Sequence, residues 1–207
     1  MSSDYGDLSN TTTMRWLPEP RVAPLASAIK ERTEQFGSLI RNANFPEFID
    51  PLMQRLIVDC FRDAKAHEGV IWLMDSEKKY MMSAWQVGPR SERLLNTRLA
   101  LDAGIAGMVL VMQQPFCENN LSANRAGASK LEEKLGAIVC SRILVPFYIA
   151  GRMRGLVACY RTKTSPDDPD PADFQAEELE EMSLLSRLLS RLLDYKLLCT
   201  ATGVDED

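Results

Sequence analysis

The segment from residue 102 to residue 120, DAGIAGMVLVMQQPFCENN, constrains the fold of this chain more than any other. Gly104 stands directly before an apolar run, and glycine allows the positive φ values that a tight turn requires. The apolar run that begins near Ile105 has the length of a short helix, and the residues around Phe116 have the composition of a strand. The segment therefore predicts a turn, a helix and a strand in close succession.

Residues 141–160, SRILVPFYIAGRMRGLVACY, predict a β-hairpin near the end of the chain. Two runs rich in aliphatic and aromatic residues flank Ala150 and Gly151, and Gly151 suits a hairpin turn that needs positive φ. An earlier hairpin is predicted where the polar sequence SEKK separates two similar runs. The predicted strands of one antiparallel sheet are 68–75, 79–87, 94–101, a short strand near Phe116, 142–149 and 153–162.

Apolar residues at helical spacing predict several helices around this sheet. The clearest apolar stripe follows the sequence FPEF at 45–48 and includes Ile49, Met53, Ile57 and Phe61. The predicted helices are 24–43, the segment after FPEF, 105–113, a polar helix at 121–135 and a long final helix at 174–198.

The length of 207 residues suits one domain with extensions. Residues 1–22 are polar and proline-containing, without an apolar period, and we expect them to be disordered or loosely docked. An N-terminal helix is expected at 23–44, the main domain at 45–198, and an acidic flexible tail at 199–207.

Charge and hydropathy exclude several classes of partner. The net charge is −5, with 24 Lys and Arg against 29 Asp and Glu, so no basic patch suited to nucleic acid is expected. We find no apolar run of the roughly 18 residues that a membrane span requires, and no apolar signal-peptide core. The sequence therefore predicts a soluble, cytoplasmic protein that binds neither nucleic acid nor a membrane.

The five cysteines are odd in number, widely spaced and mostly set among apolar neighbours. This pattern is typical of reduced core thiols rather than of a disulfide framework. The single histidine, His67, has no second histidine or CxxC pair with which to complete a tetrahedral zinc site. No metal is expected.

The glycine-rich turn and the final hairpin together resemble the GAF domain family over residues 45 to 198. In that family the Gly-Ile-Ala-Gly turn, here Gly104 to Gly107, opens a helix that walls a ligand pocket. Val145-Pro146, Gly151 and Gly155 match the last two strands. The resemblance implies an α+β fold with a central antiparallel sheet of about five or six strands and helices on both sides.

The resemblance also implies a small-molecule pocket on one side of the sheet. Apolar walls with a few directional polar groups are the usual composition of such pockets, and Trp85 could either stack on a planar ligand or belong to the core. The candidate ligand-binding residues are Trp85, Gln86, Ile105, Ala106, Asn119, Asn120, Ser122 and Arg142.

Arg142 is a charged residue at the start of an otherwise apolar strand. If its side chain faces the pocket it needs a partner, because an unpaired buried charge costs several kcal/mol. An anionic ligand group or Glu133 could supply that partner. The other interpretation is an exposed arginine at the edge of the sheet.

Three specialised branches of the family are less compatible with these residues. The cyclic-nucleotide signature is incomplete, since Asn124, Lys130 and Glu132-Glu133 occur without its aromatic residue or Asp-Glu pair. The polar segment has no cysteine to link a bilin. The methionine sulfoxide reductase branch has a cysteine in the glycine-rich turn, and this turn has none.

The final helix is longer than one small sheet needs, and its apolar residues form a wide stripe. We expect a homodimer through the terminal helices, although the helix at 24–43 could cover the same stripe. The whole pattern predicts a bacterial, non-enzymatic sensory or regulatory domain that reports an unknown small molecule to a separate output protein. The alternatives are a ligand-free dimerisation scaffold and, less favoured, a thiol-based redox sensor or free methionine sulfoxide reductase that uses Cys117 or Cys140.

Overall fold

The computed structural model describes residues 23–101, 104–123 and 127–204. Within these ranges the helices are α1 (Ala23–Leu39), α2 (Phe45–Phe48), α3 (Pro51–Asp63), α4 (Ile105–Met112), α5 (Lys130–Leu135) and α6 (Ala176–Thr202), with a 3-10 helix at Ser91–Leu94. The strands are β1 (Glu68–Met74), β2 (Tyr80–Val87), β3 (Arg98–Ala100), β4 (Phe116–Glu118), β5 (Ile138–Ile149) and β6 (Arg152–Lys163).

The described strands form one antiparallel sheet in the order β3-β2-β1-β6-β5-β4. The hairpin of β5 and β6 lies at its centre, and its turn has positive φ at Ala150 (52°) and Gly151 (69°). This is the geometry of the two-residue turns that match the twist of paired strands. Helices cover both faces of the sheet, which confirms the predicted α+β fold class.

One face of the sheet packs against α2, α3 and α6. Helix α3 begins where Asp50 accepts a hydrogen bond from the backbone amide of Met53 (2.8 Å), and Pro51 occupies its first turn. Its apolar side buries Met53, Ile57 and Phe61. We call this side of the sheet the helix face, and its core includes Phe45, Phe147, Leu189 and Leu193.

The other face is covered by α4, α5 and the 3-10 helix. Its core is a separate cluster that includes Val70, Trp72, Leu156 and Tyr160 from the central strands, with Val109 from α4 and Leu135 from α5. We call this side the cavity face, because α4 and α5 have only 8 and 6 residues and leave space above the sheet.

Several element boundaries differ from those predicted. The predicted helix at 121–135 is a turn at 121–123 followed by α5, which starts only at Lys130 because Ser129 and Glu132 form a capping box there. Helix α6 continues past Leu198 to Thr202, so the expected tail is helical at its beginning. The expectation for residues 1–22 lies outside the described residues, as do Asn124 and the last three residues of the chain.

No helix in the described ranges is both long enough and apolar enough to cross a membrane.

Candidate functional site

A cavity of about 440 Å³ lies on the cavity face, between the sheet and the first turns of α4 and α5. Most of its lining is apolar, and the polar or charged lining residues include Ser129 and Lys130 at the start of α5 and Arg142 and Tyr160 of the sheet. Its lining also includes Trp72, Ile105, Ala106 and Leu131. Such a composition is typical of small-molecule sites.

The turn before α4 and the start of α5 hold the roof of this cavity in place. Gly104 has φ 102°, a conformation that residues with a Cβ rarely adopt, and it directs the chain into α4 at Ile105. The Glu132 carboxylate accepts hydrogen bonds from the amides of Ser129 (2.7 Å) and Val139 (3.0 Å), which ties the start of α5 to β5. Arg93 donates to the carbonyl of Leu135 (2.9 Å) and fixes the other end of α5.

Four side chains form a polar row across the cavity face, one from each of four adjacent strands. Trp72 on β1 donates from Nε1 to the hydroxyl of Tyr160 on β6 (3.3 Å). Tyr160 pairs in register with Arg142 on β5, and Arg142 pairs with Glu118 on β4. Arg142 donates from Nε (3.0 Å) and Nη2 (2.7 Å) to one oxygen of Glu118. Directly opposite residues project from the same face of an antiparallel sheet, so the row is continuous.

The hydroxyl of Tyr160 is the most unusual group in this row. Tyr160 is only 3% exposed, and burial raises the pKa of its phenol to about 12, so the phenol stays protonated at neutral pH. Its oxygen accepts from Trp72, yet its own O–H donates to no acceptor in the described ranges. A buried donor without an acceptor is uncommon, because leaving it unpaired costs about 1–3 kcal/mol.

Arg142 lines the cavity with its charge already balanced. Its partner is Glu118, which corrects the expectation that Glu133 or a ligand would be needed. The side chains of Arg142 and Glu118 are 26% and 32% exposed, so the pair lies at the cavity mouth. Both hydrogen bonds use Nε and Nη2, which leaves Nη1 without a partner among the described residues.

Ile105 and Ala106 also line the cavity, at the start of α4. Together with Arg142, they are the predicted site residues that the structure brings to one cavity. Their role in binding a ligand stays a prediction.

Trp85 lies on the opposite side of the sheet, and this corrects its expected position. The pairing of β1 with β2 shifts between Ile71 and Trp72, so Ile71 faces Trp85 while Trp72 faces Ser83, and Ala84 is the extra residue. This β-bulge turns Trp85 onto the helix face, where it packs against the core. Gln86 pairs with Val70 on the cavity face, but its side chain bonds Ser83 and does not line the cavity.

The predicted polar residues after β4 have partners away from the cavity. Asn119 donates to the carbonyl of Phe174 and accepts from its amide, both at 3.0 Å, which ties β4 to the segment before α6. Ser122 donates to Asp170 (2.9 Å). Asn120 is exposed and has φ 58°, which asparagine tolerates better than most residues. These contacts indicate a structural role for Asn119 and Ser122.

The cysteines have the environment of unreactive thiols. Burial raises the pKa of the Cys60 thiol to about 11 and also raises the pKa values of Cys117 and Cys140. The nearby Asp170 carboxylate adds to the effect at Cys140. Since the thiolate is the nucleophile, these shifts disfavour thiol chemistry at neutral pH. No three His, Cys, Asp or Glu side chains within the described ranges are grouped closely enough to hold a metal ion.

Sequence reasoning missed Trp72 and Tyr160 as site residues. Both lie in nearly continuous apolar strands, EGVIWLM and GLVACY, where alternation does not reveal which face a residue occupies. The available signal was the polar end of each side chain, because buried tryptophan and tyrosine usually need a hydrogen-bond partner.

An antiparallel sheet with long helices on one face and a cavity under short helices on the other defines an α+β domain. The sequence matches no protein-family model and no curated protein. The fold does resemble solved structures. The GAF domain of a phosphoenolpyruvate-protein phosphotransferase from Coxiella burnetii has a TM-score of 0.54 and 16% identity, covering 86% of this chain and 95% of that one.

Two photoreceptor structures are similar to the same extent. The PixJ GAF domain from Thermosynechococcus elongatus, in its blue-light-absorbing form, has a TM-score of 0.53 and 14% identity, covering 78% of this chain and 95% of that one. A structure of the cyanobacteriochrome receptor PixJ has a TM-score of 0.52 and 13% identity, covering 73% and 96%. At these identities the likeness concerns the fold, and this chain has the GAF fold.

Proposed function

We propose that this chain is a sensory or regulatory domain that binds a small molecule in the cavity on the cavity face. The observation that carries the proposal is the buried Tyr160 hydroxyl, which lines the cavity and has a proton to donate but no acceptor in the described ranges. A ligand oxygen would satisfy it. The sensory role of GAF domains as a class supports the same assignment.

The cavity composition indicates the chemistry of the ligand. The charge of Arg142 is balanced by Glu118, while Tyr160 and Nη1 of Arg142 offer neighbouring donors. The rest of the lining consists of apolar side chains, including Leu131 and Leu156, together with Gly104, Ser129 and Lys130. We therefore expect a compact, largely apolar molecule that presents a carbonyl or carboxylate oxygen to Tyr160 and Arg142.

Strand β5 connects the cavity to the terminal helices. It carries Arg142 at the cavity and ends at the turn, where the amide of Ala150 donates to Asp194 of α6 (2.6 Å). On the neighbouring strand, Arg154 donates to the carbonyls of Gly37 and Ile40 at the end of α1. A ligand that shifts β5 would act on α1 and α6 through these bonds, and coupling of this kind typically amounts to about 1–3 kcal/mol.

Helix α6 offers a surface for a homodimer. It has 27 residues, which corresponds to roughly 40 Å at 1.5 Å per residue. Leu184 and Leu188 are 49% and 37% exposed and lie one helical turn apart, and Tyr195 and Leu198, which are 58% and 40% exposed, continue this side of the helix beyond Arg191. We propose that two copies pair through this stripe and that the dimer reports the ligand to a separate output protein.

The ligand proposal is tested by native mass spectrometry of the protein purified from its own cells. We expect a stoichiometric small-molecule adduct on the wild type and its loss in Tyr160→Phe, which removes one hydroxyl and keeps the ring. Trp85→Phe, on the helix face, is the matched control and should retain the adduct. An adduct that persists in Tyr160→Phe at the same occupancy contradicts the proposed site.

The dimer proposal is tested by sedimentation velocity over a range of protein concentrations. Leu188→Glu should shift the protein to monomer, because it places a charge in the proposed seam. Val111 is 83% exposed and belongs to α4, outside the proposed seam, so Val111→Glu is the control and should leave the association unchanged. A wild type that is monomeric at every concentration contradicts the proposal.

A ligand-free dimerisation scaffold is the second candidate, supported by the same exposed stripe on α6. The two functions predict different occupancy of the cavity, because a sensor binds a ligand there and a scaffold does not. A dimer without an adduct, in which Tyr160→Phe is as stable as the wild type, would favour the scaffold over the sensor.

A further inference from the structure

We propose that a second cavity, between β5, α6 and the segment that joins α4 to β4, binds a small organic anion through Arg187 and Arg191. This cavity has a volume of about 280 Å³ and shares no lining residue with the one beneath α4 and α5. Val145, Pro115 and the Tyr148 ring line one side of it. We call it the α6 cavity.

The two arginines supply positive charge that nothing in the described ranges neutralises. Arg187 and Arg191 are one helical turn apart on α6 and both line the cavity, so their charges repel each other. Neither forms an ion pair within the part of the chain that the structure describes. Asp194, the nearest acidic residue on the same helix, accepts a hydrogen bond from the amide of Ala150 (2.6 Å). A bound anion would relieve this repulsion.

Two further donors lie beside the arginines. The hydroxyl of Ser190 accepts a hydrogen bond from the amide of Tyr148 (3.3 Å), which leaves its own proton available. Gln113 accepts from the Tyr148 hydroxyl (3.0 Å) through its side-chain oxygen, and its amide nitrogen makes no hydrogen bond to another described residue. The cavity lining contains no Asp or Glu. The donor set is therefore selective for a negatively charged oxygen group.

The backbone at this edge of the sheet is already satisfied, which excludes an added β-strand as the occupant. Strand β4 pairs with β5 only from Arg142 to Leu144. Beyond it, the carbonyl of Pro146 accepts from Ser186 (2.7 Å), and the amide of Tyr148 donates to Ser190. Strand addition needs free backbone groups along an edge, and α6 occupies those available here.

The shape and chemistry together define the ligand class. One side of the α6 cavity is apolar and the other carries two guanidinium groups, which bind carboxylate and phosphate oxygens in pairs. We infer a compact anion with a carboxylate or phosphate group attached to an apolar body. This inference does not depend on a ligand in the first cavity.

Isothermal titration calorimetry at fixed ionic strength tests the proposal with phenyl phosphate, benzoate, inorganic phosphate and benzyl alcohol as probes. We expect saturable binding of phenyl phosphate or benzoate, weaker binding of inorganic phosphate, and none of neutral benzyl alcohol. The first two probes distinguish a phosphate from a carboxylate ligand. Benzyl alcohol that binds as well as the anions would overturn the proposal, as would binding of no anion at all.

The variant Arg187→Gln/Arg191→Gln should weaken binding of the anions at least about tenfold, because it removes both charges. Arg55→Gln is the matched control, since Arg55 is an arginine of α3 whose side chain is 82% exposed. Tyr160→Phe should also leave this binding unchanged, which separates the α6 cavity from the first one. An equal loss in Arg55→Gln would show only a response to total charge and would overturn the proposal. Circular dichroism verifies that each variant is folded.

Discussion

On the helix face, the side chains of the sheet pack against α3 and α6, which have 13 and 27 residues. On the cavity face, they lie under α4 and α5, which have 8 and 6 residues, and they border a cavity of about 440 Å³. The strands are the same on both sides, so the difference arises from the covering helices. The long amphipathic helices fill the space over the central strands and leave the smaller α6 cavity beside β5, whereas the short helices leave the larger cavity over the central strands.

The two strand tryptophans illustrate this difference. Trp72, on the cavity face, is fully buried and donates its N–H to Tyr160. Trp85, on the helix face, buries its N–H with no partner in the described part of the chain. On the cavity face the buried indole N–H therefore has a hydrogen-bond partner beside open space. On the helix face the indole N–H is packed against the core without a partner among the described residues.

Phe147→Ala should have the largest effect on stability. Phe147 is fully buried on the helix face and meets Phe45 edge to face, with ring centroids 6.1 Å apart. We expect the free energy of unfolding to fall by about 3–5 kcal/mol in urea titrations, because the change leaves a cavity in a packed core. Leu99→Ala is the comparison on the cavity face, where a half-buried side chain borders existing space, and we expect a loss of only about 1–2 kcal/mol. Equal losses would remove the proposed distinction between the faces.

The second effect is a loss of stability at alkaline pH that depends on Tyr160. Burial raises the pKa of Tyr160 from 10.0 to about 12 in the folded protein, so the folded state holds this proton more tightly than the unfolded state. The corresponding stability is present below pH 10 and is lost as the pH rises from 10 towards 12. We expect Tyr160 to account for roughly 2–3 kcal/mol of that loss.

Comparison of urea titrations at pH 9 and above measures this contribution. Tyr160→Phe should lose less stability than the wild type over the alkaline range, and its tyrosinate absorbance should lack the component that titrates last. Tyr148→Phe is the control, since Tyr148 is half-buried on β5 whereas Tyr160 is only 3% exposed. An identical pH dependence in wild type and Tyr160→Phe would contradict the burial of this phenol.

The fold could be predicted from sequence because its signals are local. The turn at Gly104 and the hairpin turn at Gly151 depend on glycine, and each lies beside an apolar run that fixes the type of the next element. The start of α5 was mispredicted, although Ser129 and Glu132 have the spacing of a capping box, because the preceding polar segment also suits a helix.

The site was harder to predict because it depends on register. Alternation along β2 places residues 81, 83 and 85 on one face, and the bulge at Ala84 moves Trp85 to the other. The pairing of Arg142 with both Tyr160 and Glu118 is a contact across three strands, and no local pattern encodes it. Ile105 and Ala106, which the resemblance to the GAF family assigned to a pocket, directly follow the turn at Gly104 and line the cavity.

A smaller effect is expected for Trp72→Phe on the cavity face. This change keeps a buried aromatic ring, although a smaller one, and removes the hydrogen bond to Tyr160 (3.3 Å). We expect the lost hydrogen bond to lower the free energy of unfolding by about 1 kcal/mol, measured in urea by far-UV circular dichroism. In a Tyr160→Phe background the same change should cost about 1 kcal/mol less, because the partner is already absent and only the packing loss remains. A loss that is equal in both backgrounds would mean that packing, and not the hydrogen bond, explains the effect.

The smallest effect, and the one with the opposite sign, is expected for Trp85→Phe on the helix face. The indole N–H of Trp85 is buried and makes no hydrogen bond to any residue in the described ranges, so its removal relieves a desolvation cost while a large aromatic ring remains. The ring that remains is smaller, and the packing lost with it offsets part of this gain. We expect a change between zero and about 1 kcal/mol in the stabilising direction, measured exactly as for Trp72→Phe so that the two faces are compared under one condition. A loss larger than that of Trp72→Phe would contradict a net gain from removing the unpaired N–H. The contrast between a polar cavity face and a packed helix face would then rest on the cavity alone.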